Sequence, residues 1–148
     1  MSETNWDRRF LILAAQIATW SKDPSTKVGA VIVDEHRRIV STGYNGLPVG
    51  VADSAAVYNN RDEKLERIIH GEINAILFAK RDLTGCTLYT TPIMPCSRCA
   101  AIVIQTGIKR IVAPTHVGVT AYARWEKSFE RSLEMFAEAN VSVDLLTV

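Results

Sequence analysis

From Cys86 onward, strand-like and helix-like stretches take turns. CTLYTT and RIVAP are β-branched runs, PCSRCAAIVIQTG separates them, an amphipathic span from about Thr120 to Ala139 follows, and VSVDLLTV closes the chain. Strands joined through helices become parallel neighbours, and such a sheet needs cover on both faces. Upstream, VGAVIVD and RIVSTGY form two more short strands with DEHR as the hairpin turn between them. The expected fold is therefore α/β: a three-layer α/β/α sandwich around a five-stranded mixed sheet. At 148 residues, of which 47% are hydrophobic, the chain suits one domain with one core, spanning 1–148.

The remaining segments are less regular. A first helix runs from Asn5 to about Ser21, with Phe10, Leu13, Ala14 and Ile17 on its apolar face and Pro24 as its stop. NGLPVGVADS is a Gly/Pro loop, and the polar stretch from about Ala52 to Glu66 carries no clear period. IIHGEINAILFAK has Ile69, Ile73, Ile76, Leu77 and Lys80 at helical offsets. Pro95 and Gly107 suit the start and end of a helix. In the last helix Trp125, Phe129, Leu133 and Phe136 share a side. The expected order is α-β-β-α-β-α-β-α-β.

Bulk properties narrow the function. No apolar run reaches the roughly 18 residues of a membrane span, and MSETNWDRRF lacks the apolar region of a signal peptide, so the cytoplasm is the expected compartment. A formal net charge of +1 offers no basic stripe for polymeric nucleic acid. One phosphate needs only one or two local cations, so a single nucleotide still fits. Three cysteines, Cys86, Cys96 and Cys99, argue against a disulfide framework.

Cys96 and Cys99 stand three positions apart at the head of a helix, which sets both thiols on one face and near the positive end of the helix. His70 heads another helix. Two thiolates and one imidazole suit zinc, and three protein ligands leave a fourth position for water, as in a catalytic site. His36 and His116 lie near no cysteine or second histidine in sequence. Glu72, two residues after His70, can reach the same space without ligating, and a carboxylate beside such a water can take its proton and pass it on. Taken alone, HxE is often a polar helix start and CxxC is also the pattern of a thioredoxin-like redox pair. The two together, each heading a helix, favour the metal. Cys86 opens a strand and fits a core position.

HGE followed by PCSRC resembles the H-x-E…P-C-x-x-C signature of the zinc nucleobase deaminases. SKDPSTKVGAVIV, GYNGLP, HGEINAILFA and GCTLYTT resemble, more narrowly, the deoxycytidylate (dCMP) deaminases, with similarity from about Trp6 to Ala113. The resemblance implies the cytidine deaminase fold, one catalytic Zn2+ on His70, Cys96 and Cys99, and Glu72 as proton shuttle. It implies Asn45 on the sugar, and Ser25, Thr26 and Lys27 near the phosphate with Lys22 close by. Tyr122 and Arg124 are loosely matched to a C-terminal phosphate contact. Lys22, Lys27 and Arg124 are equally readable as solvated cations, and Asn45-Gly46 as a plain turn.

The implied activity is hydrolysis of dCMP to dUMP with release of ammonia. Rival readings are the same chemistry on another cytosine-type or modified-cytosine nucleotide or nucleoside, and a non-catalytic zinc-stabilised module that senses dCTP or dTTP. Some members of the resembled family are homo-oligomers, dimers or hexamers, with dCTP and dTTP as effectors. Gly71 stands where the family usually has alanine. Its backbone N–H suits a base carbonyl, and its missing methyl leaves room for a larger base. Ile93 and Met94 are further departures near the base, and THVGVTAYARWEKSFE departs most.

Overall fold

The computed structural model describes residues 5–115 and 122–147, with Tyr122 described by its backbone alone. The elements are α1 (Asn5–Ala18), β1 (Gly29–Val33), β2 (Ile39–Tyr44), α2 (Ala55–Asn59), α3 (Arg61–Arg67), α4 (Gly71–Ala79), β3 (Thr87–Thr91), α5 (Ser97–Gln105), β4 (Arg110–Pro114), α6 (Tyr122–Glu138) and β5 (Ser142–Leu146). The five strands lie in the order β2-β1-β3-β4-β5. β1 is antiparallel to both β2 and β3, while β3, β4 and β5 are mutually parallel. The mixed five-stranded sheet is as expected.

Side chains alternate across the sheet and feed two cores. Val31, Val33, Tyr89 and Val112 pack under Phe10, Leu11 and Ala14 of α1. On the opposite face Ala30, Ile32, Leu88, Ile111 and Ala113 pack with Ala75, Ala100, Val103, Phe129 and Phe136 of α4, α5 and α6. Cys86 belongs to this second core, as its place in the sequence suggests. Two glycines set the layer spacing. A Cβ on Gly29 would lie 1.9 Å from the Ala14 carbonyl oxygen, and one on Gly43 would lie 2.4 Å from the Gly71 carbonyl oxygen and the Ala75 nitrogen. The sheet backbone therefore touches α1 on one side and α4 on the other, with no side chain between.

The pairing directions place functional ends together. β2 and β3 run the same way with β1 reversed between them. The C-terminal ends of β2, β3 and β4 and the N-terminal end of β1 thus share one edge, the edge where open α/β sheets bind ligands.

Four local readings change. The stretch from Ala52 to Glu66 contains two short helices, capped by Ser54, which accepts from the Ala56 N–H, and by Asn60, which accepts from the Glu63 N–H. α4 starts at Gly71 because Ile69 instead exchanges backbone hydrogen bonds with Gly46, at 2.8 and 3.1 Å. Leu77, expected on its buried face, is 52% exposed. On α6 the inward position next to Phe129 and Phe136 is Ser132, fully buried, and Leu133 is exposed.

A buried polar cluster ties α1 to the sheet. Arg110 donates two hydrogen bonds to Asp7, both 2.8 Å, and one to Asp144 at 2.8 Å, while the Tyr89 hydroxyl donates to Asp7 at 2.7 Å. Removing Asp7 leaves the Tyr89 hydroxyl and two Arg110 N–H groups without their acceptor, with Asp144 left to balance the partly buried Arg110. Asp7→Ala is expected to lower the unfolding free energy by about 3 kcal/mol, read as a lower urea midpoint at unchanged slope. A midpoint equal to that of the unaltered chain would show that the cluster adds nothing.

Candidate metal centre and its cavity

His70 and Cys96 occupy equivalent places, each the residue immediately before a helix. His70 precedes α4 and Cys96 precedes α5, both with extended backbone, and neither side chain caps its own helix. The side chains turn instead toward each other. His70 Nδ1 lies 3.2 Å from Cys99 Sγ and 3.6 Å from Cys96 Sγ. The three ligand atoms fall within 4.8 Å of one another, and among the described residues no other trio of ligand-type side chains does so. A tetrahedral zinc with Zn–N about 2.0 Å and Zn–S about 2.3 Å requires ligand-to-ligand spacings of about 3.5–3.8 Å. The donor set fits that ion, with the 3.6 Å spacing matching and the 3.2 Å spacing slightly short of it, and the three residues are positioned to bind a metal.

Charge follows from this crowding. Cys96 is pulled well below the usual thiol range, first by the hydrogen bond it receives from Cys99 and then by His70. Cys99 is held up, as the donor of that bond and by burial. His70 is raised chiefly by its hydrogen bond to Cys96. The metal-bound form would need both sulfur atoms as thiolates. The two helix starts add positive potential there.

The Glu72 carboxyl sits in the same cavity, 4% exposed, and burial pushes it above the ordinary carboxylate range. No described side chain donates a hydrogen bond to it. A buried carboxyl without such a partner, beside a metal-type trio, is placed to carry protons.

The cavity opens on the shared strand edge. Val28, Ile68, Ile93, Met94 and Trp125 supply apolar wall, and the Trp125 ring stands edge-on to His70 at 6.5 Å. Among the residues read from sequence, Ser25, Thr26, Asn45, His70, Glu72, Cys96 and Arg124 line it. Lys22 and Lys27 do not. Lys22 is exposed and paired with Asp53, and the Lys27 ammonium donates to the Ser21 carbonyl. The Tyr122 side chain and His116 lie outside the described residues.

Asn45 and Gly71 are both closely engaged by their neighbours. Asn45 is buried, and both of its amide donors are already engaged, by the Thr26 carbonyl at 2.9 Å and by Asp23 at 3.3 Å. Its oxygen accepts from the Val28 N–H at 2.8 Å, leaving one acceptor lone pair for a sugar hydroxyl. A Cβ on Gly71 would meet the Val28 carbonyl at 3.2 Å, the Val28 side chain at 3.3 Å and the Tyr44 backbone at 3.4 Å. The glycine relieves crowding between α4 and the strand ends, which is a different service from enlarging the base pocket.

Sequence reasoning missed α3 and what it brings. Lys64 is buried, donating to Asp23 at 3.1 Å and to Ser25 at 3.2 Å, and Arg61 and Leu65 line the cavity beside it. Asn60 followed by Glu63 is a helix-start pattern that could have flagged α3. The Asp23–Lys64 pair spans 41 positions and leaves no local trace.

The profile of the cytidine and deoxycytidylate deaminase zinc-binding region matches residues 4–115. The chain belongs to this family. Within the family it is 47% identical over 143 residues to the "Uncharacterized deaminase in luxG 3'region" of Aliivibrio fischeri, covering 97% of this chain and 95% of that relative. It is 38% identical over 113 residues to human deoxycytidylate deaminase, covering 72% of this chain and 63% of the relative. The chain thus spans only about six-tenths of the animal deoxycytidylate deaminases it matches. In fold it is similar to the apo dCMP deaminase of cyanophage S-TIM5, with a TM-score of 0.75 at 19% identity, covering 98% of this chain and 100% of that one.

Metal analysis checks the centre. The purified chain is expected to carry zinc by elemental emission, and His70→Ala or Cys99→Ser to lose it. Glu72→Gln should keep it, because Glu72 stands outside the trio. Zinc retained in full by both ligand variants would exclude the trio as the binding site.

Proposed function

We propose that this chain is a zinc-dependent deaminase that hydrolyses dCMP to dUMP and ammonia. The observation that carries the reading is the buried Glu72 carboxyl facing the same cavity as His70 and Cys96. A pure binding module has no use for a buried acid there, which argues against a dCTP- or dTTP-sensing domain without activity. The imidazole of His70 beside both sulfur atoms argues against a redox pair.

Zinc bound by His70, Cys96 and Cys99 supplies Lewis acidity that makes a water nucleophilic near neutral pH. Glu72 receives the proton of the water that attacks C4 of the cytosine ring. It returns that proton to N3, and a second transfer lets the amine depart as ammonia. Cytosine plus water becomes uracil plus ammonia, with no other reactant. The raised affinity of Glu72 for protons suits a group that must both take and give one. Met94, Ile93 and Trp125 line the cavity and would enclose the base, and Arg61 and Arg124, both exposed where they line it, are cations a phosphate could use. Names of relatives support the nucleotide, since human and mouse proteins of this family are deoxycytidylate deaminases.

Glu72→Gln is expected to lower kcat by at least about 10^3-fold while zinc stays bound. Undiminished ammonia release in that variant would remove Glu72 from the chemistry. Substrate class is tested separately by comparing kcat/KM on dCMP and deoxycytidine. The unaltered chain should prefer dCMP, and Arg124→Ala should erode that preference through KM. A preference for deoxycytidine, or for a 5-substituted cytosine monophosphate, would reassign the substrate and leave the deamination intact.

A further inference from the structure

The start of α5 has an unusual problem. Its cap residue is Cys96, whose sulfur faces His70 and Cys99 and makes no cap hydrogen bond. The first N–H groups of a helix need acceptors. α6 provides one. The Ser97 N–H donates to Ser128 Oγ at 2.8 Å, and the Ser128 hydroxyl donates onward to Ser97 Oγ at 3.1 Å. One turn later Ser132, fully buried, lies 2.8 Å from the Pro95 carbonyl oxygen, to which its hydroxyl donates, with the Ser128 carbonyl at 3.0 Å as a second acceptor. Serines four apart share a helix face. A serine in a helix interior is a poor choice unless its hydroxyl is used, and here it displaces Leu133 from the inward position. The residues on either side of Cys96 are therefore both held from α6, which also carries Arg124 and Trp125 into the cavity. All four lie beyond residues 4–115, where the family profile ends.

We propose that Ser128 and Ser132 are positioning residues that fix the segment Pro95–Ser97, and with it the Cys96 sulfur, in the geometry the metal needs. The inference rests on the zinc reading above and deepens it. The cap that Cys96 gives up in order to ligate is supplied by another helix. Without the two hydroxyls the first turn of α5 frays, and Cys96 departs more readily than Cys99, which lies inside the turn.

The test uses the full, zinc-loaded chain challenged with a chelator, with zinc release followed by a colorimetric dye. Ser128→Ala and Ser132→Ala are expected to release zinc about 10- to 100-fold faster than the unaltered chain, and Ser128→Thr, which keeps the hydroxyl, to restore slow release. Activity lost by the alanine variants should return with added zinc. Phe136→Leu, a packing change on the same helix, should lower the thermal midpoint without speeding release. Should Ser132→Ala fail to fold, Ser128→Ala, at a partly buried position, carries the test. If the serine variants lose thermal stability as Phe136→Leu does but hold zinc as tightly as the unaltered chain, the proposal is overturned while the zinc reading stands. An unaltered chain that never holds zinc would overturn both.

Discussion

His70 and Cys96 each stand one residue ahead of a helix, and their side chains meet at 3.6 Å across the end of the sheet. That meeting fixes much else. It requires α4 and α5 to begin side by side, which the strand order provides by setting the ends of β2 and β3 on one edge with β1 between them. It aims the positive ends of two helices at two sulfur atoms, favouring the thiolate state. It also explains why neither helix start is capped by its own cap residue. Both side chains are committed elsewhere.

Around this point the cavity is lined by several charged side chains. No described side chain donates to Glu72, and burial raises its affinity for a proton. Lys64 and Asp23 neutralise each other at the wall, and Asn45 stitches Asp23 to Thr26 and Val28. Burial of an unpaired ion is costly, so the ion pair is compensated and the unpaired group is a carboxyl that can go neutral. The cations left unspent are the exposed ones, Arg61 and Arg124. An anionic group entering the cavity would therefore be met at its exposed side, which on the reading proposed above leaves the inner end to the uncharged base.

The local motifs are legible in the amino-acid order itself. HGE and PCSRC place ligand and acid types at spacings that helices convert into one site, and the alternation after Cys86 announces parallel strands. What the order hides depends on distant partners. α2 and α3 are too short to show a period, and they hold through caps and through a lysine buried by an aspartate 41 positions away. On α6, Ser132 and Leu133 are neighbours whose angular positions both fit an inward stripe. Only the Pro95 carbonyl, 37 positions earlier, decides for serine. Likewise Asn45 advertises two donors in sequence, and the fold spends both.

Gly46 and Ile69 exchange two backbone hydrogen bonds immediately before His70. Everything from 47 to 68, including α2 and α3, is thereby a closed excursion whose two ends are latched to each other. Closing a loop costs entropy that grows only with the logarithm of its length. A change in the length of this excursion, and with it the Arg61 and Leu65 side of the cavity, leaves the imidazole that follows the latch where it is, provided Asp23 keeps its Lys64 partner. Ligand preference and metal chemistry are in this sense separate modules of one short chain, free to diverge at different speeds.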